Sequence, residues 1–153
     1  MERCRLMPQD NEALIVQATA GLELQDITLV RSQYDRPSMV LEGAQLVQQQ
    51  KRAVRFVVDG HEREGQPLLR VRVDLGVRLV NKNDPGAVFL IIEADYIVDY
   101  RIKSDLQEEA LKAFAEFNAV HNVWPFWRQH VFDVVDKGRL PRIEVPFFAG
   151  LKL

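Results

Sequence analysis

The sequence predicts an α+β fold, with a four-stranded antiparallel sheet first and helices in the C-terminal third. Three observations carry this. Residues 69–79 alternate apolar with polar or charged side chains, and 88–102 keep one parity apolar while the other holds Glu93, Asp95, Asp99 and Arg101 with Phe89, Ile91 and Ile97 among them, as half-buried strands do. After residue 103 the apolar spacing changes to a helical period. The chain has 153 residues, 47% of them hydrophobic, which suits one domain with its own core and no metal or disulfide staple. Strands that precede helices, rather than alternating with them, indicate α+β and not a parallel α/β sheet.

The strands follow in order. "GLELQDITLVRS" (21–32) reads as the first, but its apolar parity changes between Leu24 and Ile27, so a bulge or strong twist is expected near Asp26. Residues 33–50 read as a loop with one short turn of helix. "AVRFVVD" (53–59) is the second strand, with Val54, Phe56 and Val58 on one face. The third strand places Leu69, Val71, Val73, Leu75, Val77 and Leu79 on one face and Arg70, Arg72, Asp74 and Arg78 on the other. "NKNDPG" (81–86) is a turn signal. It leads into a fourth strand that carries Leu90, Ile92, Ala94, Tyr96, Val98 and Tyr100 on one parity. A 15-residue strand spans about 50 Å, against a radius of gyration of roughly 15 Å for a compact chain of this length. Such strands bend sharply or join a shared sheet, and an oligomer is expected.

The helical part begins at Ser104-Asp-Leu-Gln107, which matches a capping box with Ser104 as N-cap. Leu106, Ala110, Leu111, Ala113, Phe114 and Phe117 follow at helical spacing. Pro125 is expected to end this helix and to start another, because it lacks an N–H and suits a first turn. In the second helix Trp124, Trp127, Val131, Val134 and Val135 form one stripe, and Lys137-Gly138 closes it with Gly138 at the left-handed position. Phe126 and Phe132 lie off that stripe. They predict a second, exposed apolar face of the kind that marks an interface.

Several classes of function lose support. The net charge of −2 gives no reason to invoke nucleic acid. No run approaches the ~20 apolar residues of a membrane helix, and "MERCRLMPQDNEALIV" does not resemble a secretory signal. Residues 1–12 read as a flexible tail. The single cysteine, Cys4, forms no intramolecular disulfide, which fits a reducing cytoplasm. His61, His121 and His130 lack metal-ligand spacing, and "GHEREG" (60–65) is neither a phosphate loop nor a calcium loop. No cofactor and no catalytic residue is expected. Glu93, Asp95 and Asp99 share a strand face, where Arg70 and Arg72 are available as cross-strand partners.

With these residues in place the chain resembles the SecB family of bacterial export chaperones. "HNVWPFWRQHVFDVVDKGRLPRIEVPFF" (121–148) is similar to the family's main helix and the segment after it. "ELQDITLV" (23–30) looks like its first-strand signature, and "LLRVRVDLGV" with "AVFLIIEADYIVDYRI" like its central hairpin. The resemblance implies a cytoplasmic homotetramer, a dimer of dimers with two eight-stranded sheets outside and helices between them. It implies an ATP-independent holdase for unfolded or extended polypeptides such as preproteins for export, or a SecB-like chaperone for an antitoxin. The expected client-binding residues are Val54, Phe56, Val58, Phe126, Phe147 and Phe148. If the translocation motor ATPase is a partner, Asp26, Glu93 and Asp95 are its expected contacts. Two alternatives are a structural adaptor of the same fold that binds no client, and an enzyme of hot-dog type. The second fits poorly, since hot-dog folds place their helix before most of the strands.

Overall fold

A computed structural model of the chain describes residues 8–37, 45–63 and 66–146. In chain order the elements are α1 (Pro8–Gly21), β1 (Leu22–Asp35), β2 (Leu46–Arg63), β3 (Gln66–Asn81), β4 (Asp84–Ile102), α2 (Glu108–Phe114) and α3 (Val120–Gly138). A π-helical turn, Ala115–Ala119, joins α2 to α3. The four strands form one antiparallel sheet in the order β1-β4-β3-β2. This is the α+β architecture expected from the sequence.

The two strands with the cleanest alternation take the centre. Across β3 and β4, Leu69 faces Tyr100, Val71 faces Val98, Val73 faces Tyr96 and Val77 faces Ile92, all of them buried. Each such side chain taken from water stabilises the fold by roughly 1.5–3 kcal/mol. The helices close over this inner face with Ala110, Phe114, Ala119, Val123, Trp127 and Val131, which belong to the same core. Phe114 meets Tyr100 edge-on, with ring centroids 4.8 Å apart.

The outer face of the sheet is charged on both signs. Arg70 holds Asp99 at 2.8 Å, and Arg72 holds Asp74 at 2.8 Å and Asp95 at 3.0 Å. Arg31 and Lys51 reach Glu93 from opposite sides, at 3.0 and 3.1 Å. The cross-strand partnership expected of Arg70 and Arg72 is therefore present.

Several boundaries differ from the expectation. Strand β1 runs on to Asp35 and β2 starts at Leu46, so both ends of the expected 33–50 loop are strand, and residues 38–44 lie outside the described part. The register of β1 slips between Leu24 and Asp26, where the parity change falls, and again between Leu29 and Arg31. His61 lies within the span of β2, not in a loop. Only Lys82 and Asn83 form the β3–β4 turn, and Pro85 and Gly86 already belong to β4. The expected tail is helical from Pro8 onward, while residues 1–7, with Cys4, are outside the described part.

The helices also differ. Gln107, not Ser104, precedes α2, and its side chain makes no capping bond. Ser104 is instead packed against Gly21, where a Cβ would collide with its hydroxyl oxygen. Pro125 lies inside α3 and breaks nothing. The irregularity falls earlier, at the π turn, where a backbone widened by one residue separates the two α-helical stretches. At the far end the left-handed residue is Arg139 (φ 47°), one position later than expected. Arg139 donates to the Asp136 carbonyl and Leu140 to the Val135 carbonyl, the paired bonds of a Schellman motif.

Candidate functional site

Among the described residues strand β2 is an edge of the sheet, so part of its backbone lacks a strand partner on the outer side. Its register with β3 sets which side chains face inward: Gln48 opposite Leu79, Gln50 opposite Val77, Arg52 opposite Leu75, then Val54, Phe56 and Val58 opposite Val73, Val71 and Leu69. The strip thus begins polar and ends apolar. Val54 and Phe56 are half-buried against the core, and Val58 is 51% exposed. A cleft of about 450 Å³ opens beside Val58, lined also by Pro67, Ile102, Leu106 and Leu111. A larger one of about 610 Å³ lies at the polar end, among Leu46, Gln48, Gln50, Arg128 and Phe132.

Three of the expected client-binding residues, Val54, Phe56 and Val58, thus share one face of one strand. Phe126 is separate from them, 54% exposed on α3 beside the stripe that Trp127 buries, and Phe132 is exposed likewise. Phe147 and Phe148 lie outside the described residues. Trp124 is half-buried, and its indole N–H donates to the Pro146 carbonyl at 2.7 Å.

The three acids expected to meet a motor differ in environment. Asp26 is exposed at the β1 bulge and accepts the Ile27 N–H at 2.9 Å. Glu93 is shared by Arg31 and Lys51. Burial alone would raise its carboxyl, but the hydrogen bonds from those two cations outweigh it and hold the group below the usual glutamate value. Asp95 is only 4% exposed and lies between Arg31 and Arg72. The face is thus a salt-bridge lattice rather than an acidic patch.

Sequence alone assigns Gln48 no role, and marks Arg128 only as part of the 121–148 motif, not as a binding residue. The Gln48 amide accepts the Glu144 N–H at 3.0 Å and donates to the Glu144 carbonyl at 3.1 Å, and Arg128 Nε donates to the Val145 carbonyl at 2.9 Å. A polar residue at the frayed-looking start of a strand gives no periodic signal, so nothing in the sequence marked Gln48. Among the described residues no three His, Cys, Asp or Glu side chains are grouped to hold a metal. No helix among them is long and apolar enough to cross a membrane. The arrangement offers non-covalent chemistry: apolar side chains beside a strand edge.

A sheet of this order with C-terminal helices over its apolar face defines a SecB-like α+β fold. Among solved structures, the chain is similar to the Mycobacterium tuberculosis SecB-like chaperone Rv1957 in complex with a ChAD peptide from the HigA1 antitoxin. The TM-score is 0.71 at 18% identity, over 90% of this chain and 97% of that one. A Streptococcus agalactiae protein of unknown function aligns with TM-score 0.44 at 10% identity, over 82% of this chain and 97% of that one. No protein-family model and no curated protein sequence matches the chain.

Proposed function

We propose that this protein is an ATP-independent chaperone that holds extended polypeptide segments, and not an enzyme. The observation that carries the reading is the inner face of β2, where Val54, Phe56 and Val58 stay partly open to solvent on an edge strand. Extended chains bind such places by adding backbone hydrogen bonds at the edge and by seating alternate side chains against the apolar strip. The fold shared with a SecB-like chaperone supports it. The proposed working form is a cytoplasmic homotetramer.

The test is suppression of the aggregation of a slowly refolding protein, followed by light scattering without nucleotide. Wild type at stoichiometric ratio is expected to suppress most of the signal, and Phe56→Ala/Val58→Ser to lose at least half of that effect while keeping its oligomeric state. A wild type without effect would favour the adaptor alternative. Full protection by the double variant would move the groove elsewhere.

An antitoxin client is the second reading, because the similar mycobacterial protein is seen with an antitoxin peptide. Export remains the reading that the sequence resemblance implies, with Asp26, Glu93 and Asp95 as motor contacts. Its weak point is Asp95, whose burial between two arginines leaves little of it to meet a partner. Proteins recovered with the tagged chain from its native cell separate these clients.

A further inference from the structure

After α3 the chain runs extended along the polar end of the β2 strip. Ile143 and Val145 are buried while Arg142, Glu144 and Pro146 are exposed, the alternation of a strand. Yet among the described residues the hydrogen bonds to the backbone of residues 141–146 come from side chains. The Gln48 amide makes both bonds that a neighbouring strand would make to Glu144. Arg128 takes the Val145 carbonyl and Trp124 the Pro146 carbonyl. The guanidinium of Arg128 is itself set over the Phe132 ring, 5.3 Å from its centroid.

All of these contacts are to N–H and C=O groups, which every polypeptide carries. The remaining requirement is an apolar side chain at alternate positions, which Ile143 and Val145 meet here. A site that reads backbone and accepts alternate apolar residues is independent of sequence in the way a holdase needs. It also continues into Val54, Phe56 and Val58 through Gln50 and Arg52 on the same strand face. The cleft of about 610 Å³ beside it leaves room for a chain to approach.

We propose that Gln48, Trp124 and Arg128 form a backbone-reading site for extended polypeptide, that residues 140–146 occupy it as an internal stand-in, and that a client displaces them. This rests on the chaperone reading above.

The probe is a reduced, carboxymethylated and fluorescently labelled protein that stays unfolded, titrated by anisotropy. Absence of binding to wild type at micromolar concentration overturns the chaperone reading and this proposal together. Where wild type binds, amide exchange at Glu144, followed by NMR, isolates the proposal. Saturating client is expected to speed that exchange at least tenfold, since Gln48 no longer shields the N–H, while amides of β3 and β4 keep their protection. Unchanged or slower exchange at Glu144 overturns the proposal and leaves the chaperone reading standing. Ile143→Ser/Val145→Ser weakens the stand-in and is expected to lower the dissociation constant at least fivefold. A constant that rises or stays equal in a folded double variant means that the segment is a wall of the groove and not its occupant.

Discussion

His130 shows how a single side chain couples this helix to pH. Its Nε2 is buried and finds no partner among the described residues. Burial lowers its pKa, Lys137 lowers it further, and Asp133 works in the opposite direction without prevailing. The folded chain therefore holds the neutral ring. As pH falls below the usual histidine value near 6.5, the unfolded chain takes up a proton before the native one does. This contribution to stability is complete above pH 6.5 and is lost as pH falls toward the folded pKa. The urea midpoint of wild type is expected to decline from pH 7.5 to 5.5, and His130→Gln to flatten that decline. Parallel curves for the two proteins would show that His130 is not held neutral. The stripe predicts Trp124 and Trp127 as core on clear physical grounds, and Trp127 is 3% exposed while Trp124 is only half-buried. Gln48 escaped because its role lies in two amide bonds to the backbone of Glu144, a residue 96 positions away.

At the scale of elements, legibility followed burial on one face. Strands β3 and β4 lie at the sheet centre under the helices, so one parity of each is apolar almost throughout and their existence is readable, although Phe89, Ile91 and Ile97 break the alternation on the outer face of β4. The first half of β2 carries Gln48, Gln49, Gln50, Lys51 and Arg52, polar on both faces, and its strand conformation comes from pairing with β3. Helix α1 was missed for a related reason. Ala13, Leu14, Ile15 and Val16 are contiguous rather than spaced along one side, and Ala18 is its buried apolar anchor. The end of α3 supplies a test at this scale. Arg139 is exposed and holds a left-handed conformation that disfavours any residue with a Cβ by roughly 1–2 kcal/mol. Glycine removes that strain but has more freedom to lose on folding. Arg139→Gly is therefore expected to stabilise the protein by about 0.5–1 kcal/mol, visible as a thermal midpoint raised by a few degrees. An unchanged or lowered midpoint would mean that the Arg139 side chain contributes interactions that offset its strained backbone.

For the whole molecule, the sheet has one well-covered centre and two different edges. On β1, Leu24, Leu29, Val30 and Tyr34 remain 42–49% exposed, which is much apolar surface for an edge strand facing water. Phe126 and Phe132 expose a second apolar surface on α3, and Val16 a third site on α1. Edge pairing through β1 would extend the sheet to eight strands, and helix-to-helix contact through the phenylalanines would join two such sheets. These are the two interfaces that the resemblance implies. A particle of about four times the 17.6 kDa chain is expected from light scattering at micromolar concentration. Interfaces on β1 and on α3 would be separate, so each is expected to fail alone. Leu24→Glu/Leu29→Glu is expected to leave dimers held by helices, and Phe126→Glu/Phe132→Glu dimers held by strands, both with wild-type circular dichroism. A monomeric wild type would sink the assembly outright. Tetramers that survive both pairs of substitutions would keep the oligomer but place its contacts on surfaces other than β1 and α3.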